Sequence, residues 1–212
     1  FILELGFRDY FILLSRSVGK KIFWENGNLP AHNRNRKWSY DKVLFQKWKD
    51  GKTGFPLVDA SMREMKLTGY SSNRSRQNTA SFLINNYGID WRWGAEYFEE
   101  VLTDHDVRVN TGNWASMAGV VCHNGNLGRV NVFNVLKQAN DYDPNGDFIR
   151  LWCPELQDVP TKYIIQPWHS PDFRSLDYPQ DRFSKIGVNL NSGSGGGRRT
   201  PMVHRPDITV AV

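Results

Sequence analysis

The chain has 212 residues, of which 40% are hydrophobic and 13% are aromatic. That composition is rich enough to build one sizeable apolar core. A mean hydropathy of -0.55, without any long uninterrupted apolar run, excludes a membrane-spanning helix. The net charge of +5 is compatible with nucleic-acid binding, but many proteins with such a charge bind none, so charge alone does not decide the question.

The first residues and the two cysteines indicate how the chain was produced and in which compartment it is expected. Phe1 is not an initiator Met, and no signal-peptide pattern follows it, so we interpret the chain as a fragment or a processed chain. Cys122 and Cys153 are too few for a disulfide framework, and we expect both to be buried thiols. We therefore expect a soluble intracellular protein, in the cytoplasm, the nucleus or an organelle. Cys122-His123 has no second pair at metal-ligand spacing, so no metal site is predicted.

The predicted elements, taken in chain order, indicate an all-α fold. A helix over residues 37–50 ends at Gly51, and a second over 56–68 has Pro56 in its first turn and Gly69 at its end. A third helix over 72–87 stops before Gly88. On its first half, residues 73, 76, 77 and 80 share a face that is polar and small where a packing face would be apolar.

The next segment combines an ordinary core helix with an unusually polar stretch. Asp90 is the predicted N-cap of a helix from Trp91 to Leu102, whose core face carries Trp91, Ala95, Phe98 and Leu102. Residues 104–113 predict a ligand-contacting loop that delivers Trp114 to the start of another helix. An arginine facing the two aspartates of this stretch would form a buried ion pair, if a ligand helps to complete its hydrogen bonds.

The last third continues the helical pattern and then changes in composition. Residues 140–146 predict a turn, Asp147 caps a short helix, and Pro154 bends or ends it. The Gly/Ser/Arg-rich residues 191–212 cannot pack into a core, so we predict a helical domain over 1–190 and a disordered tail over 191–212.

Several long motifs in order resemble the FAD-binding helical domain of the DNA photolyase/cryptochrome family, and their wording is similar to the DASH cryptochrome branch. The resemblance covers most of the chain, from about Glu4 to Pro167, and several motifs in the right order are highly specific where one alone would be weak. The segments that carry it are 51–63 (GKTGFPLVDASMR), 73–83 (NRSRQNTASFL), 89–94 (IDWRWG), 112–114 (GNW), 133–139 (FNVLKQA) and 142–150 (YDPNGDFIR).

The resemblance implies an FAD cofactor and a set of residues that hold it. Arg76 would pair with Asp104 beside the flavin, and Asn110 would face the ring nitrogen that is protonated on reduction. Trp38, Trp91 and Trp114 would relay an electron from the surface to photoexcited FAD, whereas Trp24, Trp48, Trp93, Trp152 and Trp168 are expected to be core. The implied cofactor-binding residues are Arg8, Asn73, Arg76, Asp104, His105, Asp106 and Asn110.

The same resemblance implies light-driven repair of cyclobutane pyrimidine dimers in DNA, with single strands preferred, by a monomer. Its DNA-binding residues would be Glu4, Phe7, Asn73, Arg74 and Gln77. An antenna pigment, with a folate among the candidates, is expected on an N-terminal domain outside this sequence. Phe7 and Ser116 stand where larger aromatics are usual in the family, which leaves open a blue-light photoreceptor that binds FAD and signals without repair, or a helical nucleic-acid-binding domain without cofactor.

Overall fold

The computed structural model describes residues 2–30, 34, 36–123, 126–127, 130 and 132–179, with the side chains of Glu4, His123, Asn126 and Leu127 left out. The predicted tail over 191–212 lies outside the described residues. Nine α-helices occupy the described part: α1 Ile2–Val18, α2 Lys42–Lys49, α3 Pro56–Thr68, α4 Asn73–Ser81, α5 Trp91–Val101, α6 Val107–Met117, α7 Val135–Tyr142, α8 Asp147–Trp152 and α9 Thr161–Ile164.

Short elements connect the helices. A π-helical turn, Phe82–Asn86, continues α4, and 3₁₀ turns cover Gly19–Phe23, Pro154–Leu156, Pro167–His169 and Phe173–Ser175. Two strands of two residues each, β1 Cys122–His123 and β2 Asn126–Leu127, pair antiparallel. No helix among the described residues is long and apolar enough to cross a membrane. The predicted all-α class is confirmed, since the strand pair involves only four residues.

Two predicted helices appear where the capping signals placed them. Helix α3 begins with Pro56 and ends at Gly69, whose φ of 67° is the left-handed conformation that glycine adopts without strain. Helix α5 is capped by the Asp90 side chain, which accepts a hydrogen bond from the Arg92 N–H. The predicted core face of α5 is buried along its whole length, from Trp91 at 1% to Leu102 at 6% exposed.

Other predicted boundaries were wrong, because local signals stopped or started a helix elsewhere. Helix α2 begins at Lys42 rather than 37: Asp41 caps it, and the preceding Ser39 pairs in extended conformation with Ile89. The helix predicted over 72–87 is an exception: its α-helical part ends at Ser81, and the π-helical turn continues it to Asn86. Residues 140–142 complete α7 instead of forming a turn. Helix α8 has Gly146 as its N-cap, and Asp147 is its first residue.

The apolar core consists of two clusters that share α3. Val58, Met62 and Met65 belong to the larger cluster, built around Trp48, Phe82 and Trp91, whereas Leu57 and Ala60 belong to a second cluster with α8 and the segments after it. Helix α3 therefore packs on two sides, and its first seven residues are buried, although Lys66 and Leu67 in its last turn are exposed. The polar groups in its buried part must find partners inside the protein.

Asp59 is a buried carboxylate on α3, and the chain itself makes its hydrogen bonds. Its carboxylate accepts from the Thr53 N–H at 2.7 Å, the Thr53 hydroxyl at 2.6 Å, the Gly54 N–H at 2.9 Å and the Tyr178 hydroxyl at 2.6 Å. Burial raises the pKa of both Asp59 and Tyr178. This satisfied cluster fastens the segment after α9 to the start of α3.

Candidate functional site

An ion pair ties the first turn of α4 to the turn between α5 and α6. The Arg76 Nη2 donates to both carboxylate oxygens of Asp104, at 2.9 and 3.0 Å, and its Nε donates to the Ser71 carbonyl at 2.9 Å. This pairing was predicted. The Arg76 and Asp104 side chains are 27% and 59% exposed, so the described residues do not bury the pair by themselves. A pair this exposed adds little to stability, so it fits a ligand-binding role better than a purely structural one.

His105 follows Asp104, and its imidazole ring has polar atoms that the described residues leave without hydrogen bonds. Both of its ring nitrogens are buried and have no hydrogen-bond partner in the described part of the chain, and its Nε2 lies 3.7 Å from the Glu99 carboxylate. An unsatisfied buried polar group costs about 1–3 kcal/mol. Because His105 directly follows Asp104 in the chain, such a group indicates a position where a ligand completes the hydrogen bonds.

Asp106 has a structural task that the sequence-based interpretation missed. It is the N-cap of α6, where its carboxylate accepts from the Arg108 and Val109 N–H groups, and it pairs with the Arg108 guanidinium at 3.1 Å. The hydrogen bond from Arg108 lowers the pKa of Asp106. Asp106 therefore faces Arg108, and Arg76 pairs with only one of the two aspartates.

The predicted loop over 104–113 was wrong, because Asp106 starts a helix within it. Helix α6 runs from Val107 to Met117, so Trp114 lies inside this helix rather than at its start. Asn110 is also helical, and its Nδ2 donates to the Ala95 carbonyl of α5 at 2.9 Å. The Asn110 side chain thus faces α5, and its amide oxygen is left for another partner.

Helix α1 crosses α6 closely and presents the residues predicted for cofactor and DNA. A Cβ added at Gly112 would overlap the Phe11 ring, so the glycine permits this approach. Arg8 pairs with Asp9 at 3.0 Å on the surface, and Phe7 is 57% exposed. The Glu4 side chain lies outside the described residues.

The α4 residues predicted to bind DNA differ in their surroundings. Asn73 is exposed and Gln77 is partly buried. The Arg74 guanidinium lies over two rings, 5.8 Å from the centre of Phe133 and 5.0 Å from that of Tyr142. The two rings fix the direction of the Arg74 side chain, and this partly buried contact is worth about 1 kcal/mol or more.

The three relay tryptophans are found in different environments. Trp91 and Trp114 are buried, at 1% and 2% exposed, and Trp38 is partly buried under the Arg36 guanidinium, which lies 4.4 Å from its ring centre. The Trp91 indole N–H donates to the Glu25 carbonyl at 3.0 Å. Among the described residues, the ring partners of Trp114 are Phe98 and Trp48, at 5.0 and 6.2 Å between ring centres.

Two residues near the site were not singled out by sequence reasoning. Trp48 was expected to be core, which its 0% exposure confirms, but its contact with Trp114 was not expected. Asn78 is also fully buried, and neither polar atom of its amide has a hydrogen-bond partner among the residues that the structure describes. The available sequence signal for Asn78 was an asparagine one helical turn after Arg74. The expectation that Trp24 belongs to the core was wrong, because it is 44% exposed.

The polar groups of this region fit a flavin. A flavin ring carries hydrogen-bond donors and acceptors along one edge. The partly exposed Arg76–Asp104 pair and the ring nitrogens of His105, the next residue in the chain, match such an edge, since those nitrogens have no partner among the described residues. Arg76, Asp104, His105 and Asn110 would hold that edge. All four come from the first turns of α4 and α6 and from the turn that precedes α6.

Comparison with known proteins gives a consistent result. A family model described as the FAD binding domain of DNA photolyase matches residues 1–190. The chain is similar to cryptochrome DASH from Synechocystis, with 51% identity over 168 residues, or 79% of this chain and 33% of the relative. It is also similar to the chloroplastic/mitochondrial cryptochrome DASH from Ostreococcus tauri, with 42% identity over 97% of this chain and 38% of the relative.

Solved structures agree with these matches. The crystal structure of a Synechocystis cryptochrome superposes with a TM-score of 0.76 at 46% identity, over 84% of this chain and 37% of that chain. An archaeal photolyase from Sulfolobus tokodaii, solved with two FAD molecules, gives a TM-score of 0.71 at 35% identity, over 80% of this chain and 38% of that chain. The chain spans about a third of the length of these relatives, and it belongs to the DNA photolyase/cryptochrome family.

Proposed function

We propose that this chain is the FAD-binding part of a DASH-type photolyase that uses blue light to split cyclobutane pyrimidine dimers in single-stranded DNA. The observation that carries the proposal is the polar edge formed by the Arg76–Asp104 pair and the unsatisfied His105 ring. The names of the relatives support the class: cryptochrome DASH for the Synechocystis protein, and photolyase with FAD for the Sulfolobus tokodaii protein.

Arg76 and its neighbours supply the electrostatics of the site. FAD, when bound and reduced, supplies the electron that splits the dimer. Arg76 is held in place by Asp104 and the Ser71 carbonyl. Its positive charge would therefore stabilise the negative charge that the flavin gains on reduction, without any rearrangement of the Arg76 side chain. Asn110 contributes an amide, which cannot donate a proton as an aspartic acid would. We infer that His105 completes its hydrogen bonds with the flavin.

The DNA side of the site combines α1 with the start of α4. Flipping a dimer out of the helix exposes it to Glu4, whose carboxyl group would bind the polar edge of the lesion, and to Asn73, which would contact both lesion and flavin. Arg74 would place its charge toward a phosphate, and Gln77 would line the same face. Asp106 and Arg8 would hold the flavin indirectly, through the N-terminus of α6 and the surface of α1.

Single-stranded DNA is favoured by the small stacking surface of this chain. Phe7 is the most exposed aromatic on α1, and Ser116 replaces an aromatic expected from the family pattern. Each lost stacking contact weakens binding of a base by about 1–3 kcal/mol. The energy that remains is too small to open a stable duplex, and flipping from a single strand requires less.

Two further properties of the whole protein belong to this proposal. An antenna pigment, with a folate among the candidates, is expected on the part of the protein that precedes this domain, and the protein is expected to act as a monomer. Neither property involves the residues described above. Absorption spectroscopy of the native protein and its size by light scattering test the two expectations separately.

A second candidate function is a blue-light photoreceptor that binds FAD and signals without repair. The observation that favours it is the reduced aromatic surface at Phe7 and Ser116, where a lesion would stack. Trp38, Trp91 and Trp114 would serve this function equally, because a photoreceptor also needs light-driven reduction of its flavin.

Dimer cleavage under blue light distinguishes the two functions. The flavin-loaded protein is reduced and mixed with dimer-containing single-stranded or duplex DNA, and cleavage is followed with light and in the dark. Glu4→Gln is expected to lower cleavage of the single strand and to leave the flavin spectrum unchanged, with Glu96→Gln on the exposed face of α5 as the matched control. If the parent protein, fully loaded with FAD, splits no dimer in either substrate, repair is refuted and the photoreceptor is favoured.

A further inference from the structure

Two aromatic rings, one near each end of α7, lie against the Arg74 guanidinium of α4. The Arg74 Cζ atom is 5.8 Å from the centre of the Phe133 ring and 5.0 Å from that of the Tyr142 ring. Phe133 directly precedes the N-cap of α7, and Tyr142 is its last residue. Both distances are within the range of a cation–π contact. We call Phe133 and Tyr142 the aromatic clamp of Arg74.

The backbone that carries the aromatic clamp is fixed at both rings. The Phe133 N–H donates to the Ser81 hydroxyl, at the end of α4, at 3.0 Å. The residue after Tyr142 is Asp143, which is 5% exposed and whose carboxylate accepts from two N–H groups of α8. A ring on a fixed backbone has few positions to choose from. The aromatic clamp is therefore in place before a ligand arrives.

The hydrogen-bond donors of Arg74 are left open by its surroundings. Among the described residues, no carboxylate or carbonyl group accepts a hydrogen bond from the Arg74 guanidinium. Asp141, the carboxylate next to Tyr142, is paired with Lys137 at 2.7 Å. A ring over a guanidinium covers a face of its plane, whereas the N–H donors point outward within that plane. Arg74 therefore combines a held guanidinium with donors that await a partner.

A phosphate is the group that such an arginine recognises best. The donors of a guanidinium form a planar fork that matches two oxygens of one phosphate. Because the aromatic clamp already holds the fork, less side-chain entropy is lost when a phosphate binds. Arg76, two residues further along α4, points to Asp104 and the proposed flavin instead. Residues two apart on a helix face nearly opposite directions, so α4 places Arg74 on the side of α7.

We propose that Phe133 and Tyr142 are positioning residues that hold Arg74 for a bidentate contact with one phosphate of the single-stranded DNA substrate. The inference rests on the proposed function, in which Arg74 places its charge toward a phosphate. It adds α7 to the DNA-binding surface. The strand extends from the exposed Asn73, at the start of α4, toward the end of α7 that carries Tyr142.

A double-mutant cycle between Arg74 and Tyr142 tests the proposal. The native protein loaded with FAD is mixed in the dark with a labelled single-stranded oligothymidylate that carries one pyrimidine dimer, and binding is measured by fluorescence anisotropy. The proteins compared are the parent, Arg74→Ala, Tyr142→Leu and the double variant. Tyr142→Leu should weaken binding by about three- to tenfold in the parent background. It should have no effect in the Arg74→Ala background, because Tyr142 acts through Arg74.

The salt dependence of binding is a readout that a purely structural role of Tyr142 would not change. Each phosphate contact on a single strand contributes about 0.7 to the steepness of log K against log salt concentration. Arg74→Ala should therefore make the slope shallower by about 0.7, and Tyr142→Leu should give a slope between those of the parent and Arg74→Ala. A general distortion of the fold weakens binding without removing one defined phosphate contact.

Three further variants separate the aromatic clamp from other effects. Tyr142→Phe keeps the ring and loses only the hydroxyl, so it should bind DNA as the parent does. Arg74→Lys keeps the charge and loses the planar fork, so it should bind more weakly, and it decides the question even if Tyr142→Leu fails to fold. Tyr163→Leu is the matched control: it removes a ring that lies 4.5 Å from the Lys162 ammonium, beside the second core cluster, and should leave DNA binding unchanged.

The outcomes separate this inference from the proposed function. An equal effect of Tyr142→Leu in both backgrounds, zero included, overturns the aromatic clamp even if the protein repairs dimers, and so does parent-like binding by Arg74→Lys. Loss of FAD from Arg74→Ala with unchanged DNA binding also overturns it, because the phosphate is then that of the cofactor. A parent protein that binds the strand but splits no dimer under blue light refutes repair instead, while the cycle still decides on the clamp.

Discussion

Gly94→Ala is expected to destabilise the protein, although alanine is the better helix former. Gly94 lies inside α5, and a Cβ there would lie 2.5 Å from the Trp114 Cζ3 and 2.7 Å from the Leu83 Cδ2, with the Trp114 Cη2 also in overlap. Trp114 and Leu83 are 2% and 0% exposed. The Trp114 ring cannot simply turn away, because Trp48 and Phe98 occupy its other sides.

The magnitude follows from two opposing effects. Replacing glycine by alanine inside a helix gains about 1 kcal/mol. Forcing a methyl group into a packed core costs about 1–3 kcal/mol, and occasionally more when rigid rings are involved. The net effect should be a loss of up to about 2 kcal/mol, equivalent to a fall in Tm of a few degrees for a domain of this size.

Gly6→Ala is the matched control, because Gly6 also lies inside a helix and nothing is within 4 Å of its added Cβ. That variant should be at least as stable as the parent. Urea unfolding of both variants, followed by tryptophan fluorescence, gives the comparison. If Gly94→Ala is as stable as Gly6→Ala and has the parent fluorescence spectrum, α5 and Trp114 are not packed as described.

Three further predictions concern charge and electron transfer. Asp104→Ala should lower FAD retention on gel filtration, because Arg76 loses the carboxylate that positions it. The free energy of unfolding of the flavin-free protein should fall by no more than about 1 kcal/mol, because the pair is so exposed. Equal FAD occupancy in mutant and parent would contradict this prediction. Trp91→Phe should slow photoreduction of FAD without loss of FAD binding, since phenylalanine is much harder to oxidise than tryptophan. Absorption spectra of the flavin, recorded after timed illumination, measure the rate. A rate equal to that of the parent would show that Trp91 is dispensable. Burial raises the pKa of Glu64 from 4.5 to about 7, so between these pH values the folded state binds more protons than the unfolded state and the free energy of unfolding should fall as pH rises. Glu64→Gln should remove about 1–2 kcal/mol of this loss, after allowance for the partial exposure of Glu64. Identical pH profiles of parent and variant in urea unfolding would refute this prediction.

The sequence alone determined the helical class and the parts of the site that depend on neighbouring residues. Helix α3 lies between its proline and glycine signals, and α5 follows its aspartate cap, because both signals act within one turn of backbone. The motif resemblance identified the family and paired Arg76 with Asp104, a contact between residues far apart in the chain. Periodicity alone would not have predicted that contact.

Tertiary structure decided the features that require a third dimension. Residues 104–113 predict a loop because they are polar, yet Asp106 caps a helix within them. The polar side chains there have partners in the fold: Asp106 pairs with Arg108, and Asn110 donates to the Ala95 carbonyl of α5. The exposure of the Arg76–Asp104 pair depends on which helices cover it. The lack of hydrogen-bond partners for the His105 ring among the described residues also depends on the packing around it. The placement of Trp48 against Trp114 likewise depends on how α2 packs near α6, since contacts between distant helices arise from the filling of one core and leave no periodic signal in either helix.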